Sequence, residues 1–148
     1  MENVNKKQRK SKGFTLVELL IVIIIIGILA GMMMLSTGSA TDKAEATKIV
    51  SNLRNIKSAA LMYFADKGEW PGSLDEVNEY LDAKITADNY EFTAGPPTVI
   101  GYKNVKPKVG EKLKAMTDEA GLYSSAPTSG DTEPNYAGGD KVYMIIKK

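Results

Sequence analysis

At 148 residues, with a net charge of +1, the chain has room for one domain and a spanning segment. It contains no cysteine and no histidine, so no disulfide holds it and the commonest general base and metal ligand is missing. Residues 1–13 hold five basic residues and one acid, while the remainder holds 14 basic and 17 acidic residues, and this slightly acidic exterior gives no support to non-specific nucleic-acid binding.

Residues 1–13 are polar and carry Lys6, Lys7, Arg9, Lys10 and Lys12. Such a segment is expected to stay disordered until a membrane surface or a protease holds it, and its charge keeps that end cytoplasmic. Residues 14–35 follow as a run of about 22 residues, roughly 33 Å of helix, long enough to cross a bilayer core. From Leu19 to Leu35 no side chain is charged. Gly27, Ala30 and Gly31 thin the side chains, and Met32-Met33-Met34 close the run. Gly27 and Gly31 are spaced as G-x-x-x-G, which suits close helix packing, or else a point where the helix loosens by about 1 kcal/mol relative to alanine. Glu18 interrupts the run near its start. A carboxylate in lipid costs a few kcal/mol, about 3 on insertion scales, and is therefore a functional candidate, although near the helix end it can also snorkel to the interface.

A basic flank before an apolar helix reads as a signal anchor, with everything after the helix carried outside. A secretory signal peptide would place its small-residue cleavage site after the apolar run. Here a small residue, Gly13, stands before it. Lys12-Gly13-Phe14-Thr15-Leu16-Val17-Glu18 resembles the class III-type signal that prepilin peptidase recognises in type IV pilins and pseudopilins. The features that carry the resemblance are the basic leader, the terminal glycine, the aromatic next residue, the glutamate four positions on and the apolar helix. The resemblance implies cleavage after Gly13, N-methylation of Phe14, and neutralisation of a neighbouring subunit's N-terminal amine by Glu18 during assembly. An acid and an amine, each costly in lipid, cost less as a pair. It also implies partners: prepilin peptidase, other pilin subunits in a homopolymer that could admit minor pilins, and the membrane platform protein of the assembly machine. Many pilins carry a proline further along this helix and a C-terminal disulfide. This chain has no proline before Pro71 and no cysteine.

Ser36 to Thr41 is the weakest helical stretch. Asp42 with Glu45 could cap a fresh helix, but the resemblance favours one long helix that bends here. From Lys43 to Lys67, Ile49, Leu53, Ile56, Ala60 and Phe64 recur at helical spacing, and Val50, Leu61 and Met62 widen the stripe. Lys48, Arg54, Lys57 and Asp66 lie mainly outside it. Gly68 is the expected stop. Tyr63, Phe64 and Trp70 are expected to pack in the core rather than contact a cofactor or nucleic acid. Gly68-Glu69-Trp70-Pro71-Gly72-Ser73-Leu74 is a second point of resemblance to pilins. Pro71 ends the helix, and Ser73 with Glu76 predicts a capping box opening a short helix from Leu74 to about Leu81. Leu74, Val77, Tyr80 and Leu81 would face inward. Asp75, Glu76, Glu79 and Asp82 read as a solvated acidic face rather than as acid–base or cation-binding pairs.

The period then changes. Asn89–Thr93 and Thr98–Lys103 are predicted strands around a Gly95-Pro96-Pro97 turn. Lys106, Lys108, Lys112 and Lys114 have no interleaved aromatics and read as solvated. Val109 to Ala120 is predicted as one helix carrying Leu113 and Met116 and stopped by Gly121, with a strand starting at Leu122-Tyr123. Residues 124–139 read as loop. Asp131, Glu133, Asn135 and Asp140 supply oxygens for a candidate calcium site, of the kind some major pseudopilins hold in a C-terminal loop, but their spacing matches no loop template and no metal or cofactor is assigned. Lys141–Lys147 is predicted as an inner strand.

The expected fold is α+β and type IV pilin-like: a long N-terminal helix, about 80 Å from Phe14 to Lys67, packed on a small antiparallel sheet of three to four strands. The expected segments are a cleaved cytoplasmic leader (1–13), a transmembrane and assembly helix (14–35), its amphipathic continuation (36–67) and a globular domain (68–148). The expected location is the inner or cytoplasmic membrane, crossed once with the N-terminus cytoplasmic, and after assembly a filament. The expected function is that of a structural subunit of a type IV pilus, with a pseudopilin of a type II secretion or DNA-uptake system as the alternative and a membrane-anchored extracellular binding domain as the second. No histidine, cysteine, serine-centred motif or phosphate loop supports an enzyme.

Overall fold

The computed structural model describes residues 13–148, so the disorder expected of residues 1–12 lies outside the described residues. The chain divides into two compact units, residues 1–38 and 39–148. One helix, α1 (Leu16–Lys67), enters both, with no break at Ser36–Thr41. Asp42 and Glu45 therefore do not open a new helix. Glu45 is instead paired with Lys106 at 3.0 Å.

The unit of residues 39–148 is built on the second part of α1. Ala46, Ile49, Val50, Leu53, Ile56, Ala59, Ala60 and Tyr63 are its buried positions. This corrects the predicted stripe at three places. Leu61 is 47%, Met62 58% and Phe64 39% exposed, because the small Ala46, Ala59 and Ala60 let the sheet approach on a face centred between Leu53 and Ile56. Phe64 stacks on Trp70 at 4.6 Å between ring centroids, so this aromatic pair flanks the core instead of entering it. Lys147 Nζ lies 5.3 Å from the Trp70 ring centre, a cation–π contact.

Gly68 ends α1 with φ +79°, the left-handed conformation that favours glycine. After Pro71, α2 (Leu74–Asn78) begins at Ser73, whose hydroxyl accepts from the Glu76 N–H at 3.4 Å. Glu76 reaches back to the Gly72 N–H at 2.6 Å, one residue beyond the expected box. The helix stops at Asn78, short of Leu81, because the Asn78 side chain bonds both the N–H and the carbonyl of Ile85, each at 2.9 Å, and closes the chain into a loop. Val77 is fully buried, and Leu74, Tyr80 and Leu81 are partly buried against the core.

The sheet comprises β1 (Tyr90–Thr93), β2 (Thr98–Lys103), β3 (Leu122–Tyr123) and β4 (Lys141–Lys147), in the order β1-β2-β4-β3 and antiparallel throughout. Its inner face sends Ile100, Leu122, Val142, Met144 and Ile146 into the core with α1. β4 is an inner strand, as its apolar run predicts. The outer face carries a second cluster of Val99, Tyr123 and Tyr143, with Ile145 against it. Gly101 is required there: a Cβ at this position would lie 2.5 Å from the Tyr143 ring.

The predicted helix over Val109–Ala120 is two helices, α3 (Pro107–Lys114) and α4 (Thr117–Ala120). The break lies where Thr117 is buried and its hydroxyl donates to the Tyr136 carbonyl at 3.0 Å, a tertiary bond that periodicity does not encode. Gly121 closes α4 with φ +67°.

Candidate processing and assembly site

The start of α1 is organised by four residues. Gly13 and Phe14 precede the helix and are exposed, Phe14 by 92%. The Thr15 N–H donates to Glu18 Oε2 at 2.8 Å, and the Glu18 N–H donates to Thr15 Oγ1 at 3.2 Å. This is a reciprocal capping box: each side chain satisfies a backbone N–H that a helix leaves without an internal partner. The signal, T-x-x-E over Thr15-Leu16-Val17-Glu18, is present in the sequence. The sequence analysis weighs Glu18 as a charge in lipid and, by resemblance, as the partner of a neighbouring amine, and misses the cap. The box folds the Glu18 carboxylate back toward the chain end, one residue after Phe14. The Gly13–Phe14 bond lies outside the helix.

Beyond the cap, every large apolar residue from Leu16 to Leu35 is 48–83% exposed. Among the described residues, α1 is the one helix long and apolar enough to cross a membrane by length and composition. Such a surface is unstable in water and calls for lipid or protein around it. A Cβ built on Gly27 or Gly31 would meet nothing within 4 Å, so no contact among the described residues explains these glycines. Within the helical run lies Ala44-Glu45-Ala46, which has the A-x-A form of a signal-peptidase site, but it sits inside α1 with Ala46 fully buried.

The other candidates are not assembled into a site. Asp131 accepts from the N–H and hydroxyl of Thr128, at 2.7 and 3.1 Å, and ties its own turn. The Asn135 side-chain oxygen accepts from the Ser124 N–H at 3.1 Å. Asp140 uses its backbone carbonyl to hold the Val105 N–H at 2.8 Å, and Glu133 is exposed. Among the described residues no group of three or more acidic residues is placed to hold a metal ion. Around α2, Glu76 caps the helix, while Asp75, Glu79 and Asp82 are exposed. Asp66 accepts from the Tyr80 hydroxyl and pushes its pKa up to about 12. Of the lysines, the Glu45 carboxylate bonds Lys106 and raises its pKa, and Glu91 does the same for Lys141.

A family described as the prokaryotic N-terminal methylation motif matches residues 8–34. The chain is 42% identical over 62 residues to a fimbrial protein of Neisseria meningitidis, covering 42% of this chain and 36% of that one. It is 37% identical over 80 residues to the type II secretion system core protein G of Klebsiella michiganensis, covering 54% of each. With core protein G of Escherichia coli it shares 32% identity over 93 residues, 63% of this chain and 58% of that one. The aligned region thus spans about a third to three-fifths of these relatives. Among solved structures, the major type IV pilin PilA1 of Clostridium difficile has the same fold, with a TM-score of 0.56 at 21% identity over 74% of this chain and 99% of that one. The chain thus carries the prokaryotic N-terminal methylation motif, is similar in sequence along α1 to fimbrial and type II secretion core proteins, and has a type IV pilin-like fold of a long helix followed by a four-stranded antiparallel sheet.

Proposed function

We propose that the protein is a structural subunit of a type IV pilus or pseudopilus, cut between Gly13 and Phe14 by prepilin peptidase, methylated on the new Phe14 amine, and polymerised through the helix of residues 14–35. The observation that carries this reading is a capped, uninterrupted helix whose apolar side chains are exposed around its whole circumference. In the membrane, lipid covers that surface. In a filament, the same helices of neighbouring subunits cover it, and burial of apolar area drives assembly. The basic leader lies on the cytoplasmic side and residues 39–148 lie outside. Glu18 has two tasks in sequence. In the isolated subunit its carboxylate closes the cap with Thr15, and on assembly it pairs with a neighbour's Phe14 ammonium. A carboxylate has four acceptor sites, so the second bond does not require the first to break. The chain is then a substrate of an enzyme and not one itself.

The N-terminal mass of the protein from its own host tests the reading, in wild-type cells and in cells lacking prepilin peptidase. A chain starting at Phe14 with one added methyl, both changes lost in the mutant, is expected. A leader retained in both strains would overturn it and leave an anchored external binding domain. Glu18→Gln separates the two tasks. Glutamine also closes a capping box, so helix and processing should persist while polymer is lost. If Glu18→Gln polymerises normally, the charge pairing is wrong.

The pseudopilin form of the reading is favoured by one observation: similarity to core protein G extends over 43–63% of the chain, and over more than half of it in most of these relatives, against 42% for the fimbrial protein. Electron microscopy of the host separates the two, since a pilus is a long surface filament and a secretion or DNA-uptake pseudopilus is not.

A further inference from the structure

Strand β4 is longer than its neighbour on one side. β2 runs along it as far as Lys147, but β3 pairs with Tyr143 and Met144 alone. Gly121, at φ +67°, separates β3 from α4, so the residues before Leu122 are coiled into helix instead of lying along Ile145 to Lys147. Among the described residues, no strand covers β4 there. A bare edge of this kind offers backbone N–H and C=O groups to another strand. Beside it lies a groove of about 350 Å³, lined by Ile145 and Ile146 of β4, Arg54 and Lys57 of α1, Glu119 of α4, and Lys148. Lys57 is half-buried, and neither it nor Lys148 has a hydrogen bond or ion pair among the described residues. Arg54 donates to the Glu119 carbonyl at 3.4 Å, which occupies only part of its guanidinium. Against these cations stand the carboxylate of Glu119 and the α-carboxylate of Lys148, so the lining stays positive.

We propose that this slot takes an extended acidic segment of another protein, which adds to the edge of β4 as a strand in line with β3 and turns its carboxylates to Arg54 and Lys57. Successive side chains of a strand point to opposite faces. Acids at every second residue therefore all meet the α1 side, while the backbone pairs with Ile145 to Lys147. Edge hydrogen bonds supply the affinity, and the cations select an acidic strand over a neutral or basic one. A second copy of this chain is a poorer occupant. Its other edge strand of useful length, β1, carries one acid, Glu91, which already accepts from Lys141 and Tyr143. The slot lies within residues 54–148 and owes nothing to cleavage at Gly13, so this proposal and the filament reading fail separately.

The probe is a fluorescein-labelled peptide of sequence Thr-Val-Glu-Val-Glu-Val-Thr, titrated with the full-length chain in detergent and followed by fluorescence anisotropy. Saturable binding is expected, and the same peptide with glutamine for glutamate should bind roughly tenfold more weakly. The double variant Arg54→Ala, Lys57→Ala should show the same loss toward the acidic peptide, with its thermal unfolding unchanged. Backbone pairing is tested on the peptide alone, so no variant has to fold. An edge strand bonds through alternate residues only. N-methylation of one alternate set of peptide amides should abolish binding, and N-methylation of the other set should leave it intact. Equal binding of the acidic and glutamine peptides overturns the proposal, as does binding that neither N-methylated set disturbs. Because the chain has no cysteine, Lys57→Cys reports on the slot by maleimide labelling. If the free chain binds no peptide and this cysteine is protected only in polymer, the slot belongs to a second copy and the proposal is overturned.

Discussion

The two stretches of α1 are the same secondary structure placed in opposite circumstances. From Leu16 to Leu35 the helix is apolar on all sides, and its large side chains are 48–83% exposed. From Ala46 to Tyr63 it is two-sided, with eight buried positions on one face and Lys48, Arg54 and Ser58 on the other. The backbone bonds of a helix are satisfied internally in either setting, so helix formation does not tell the two apart. What differs is what each needs around it. The second stretch finds its cover in its own sheet, and the first has none among the described residues, which suits the proposed passage from lipid to a polymer core.

The comparison can be broken from either side. The largest effect is expected from Leu53→Ala, which empties a fully buried site. It should cost about 2–5 kcal/mol in thermal unfolding of the full chain in detergent, with no loss from the membrane fraction. Ile24→Lys should do the reverse: about 2.5–3.5 kcal/mol against insertion, read as loss from the membrane fraction, with unfolding of residues 39–148 unchanged. If either variant moved both readouts, the two stretches would not be independent. Gly101→Ala forces a methyl against the Tyr143 ring and should cost about 1–3 kcal/mol. Adding Tyr143→Ala should cost less than the sum of the single changes, because the clash is then gone.

The smallest effect is alkaline. The Tyr80 hydroxyl donates to Asp66, and its pKa is raised from 10.0 to about 12 in the folded chain. Between those values the unfolded chain has lost this proton and the folded chain has kept it. The contribution is therefore complete below pH 10 and lost as pH rises through about 12. Tyr80→Phe should flatten the fall in stability across that window, measured by thermal unfolding against pH. An unchanged slope would remove Tyr80 from the alkaline transition.

Elements with a strong local signal were legible. Strand β2 occupies Thr98–Lys103 as predicted, because β-branched residues and the preceding Pro96-Pro97 turn mark its start. Gly68 and Gly121 both stand at positive φ, where the reading put the stops. The misses have physical reasons. Leu61, Met62 and Phe64 fit a helical period but lie on the rim, since periodicity locates a stripe and the approaching sheet selects its centre. Val109–Ala120 reads as one helix until the Thr117 hydroxyl is turned to the Tyr136 carbonyl. At the candidate site, Gly13, Phe14 and Glu18 were singled out by resemblance alone, and the Thr15–Glu18 box was legible from spacing and overlooked. The oxygens gathered as a calcium site were a guess from composition. Asp131 and Asn135 instead hold their own loop, a use that only the folded path of the chain reveals.

The sequence by itself determined the apolar run, the cap that opens it, the glycine stops and the strand-forming segments, because each depends on residues within a few positions of one another. Tertiary structure decided which face of α1 is buried, where the last helix breaks, the strand order β1-β2-β4-β3, and the need for glycine at position 101. Those depend on side chains distant in sequence meeting at a common surface, and only close packing selects among arrangements that local propensity leaves equal.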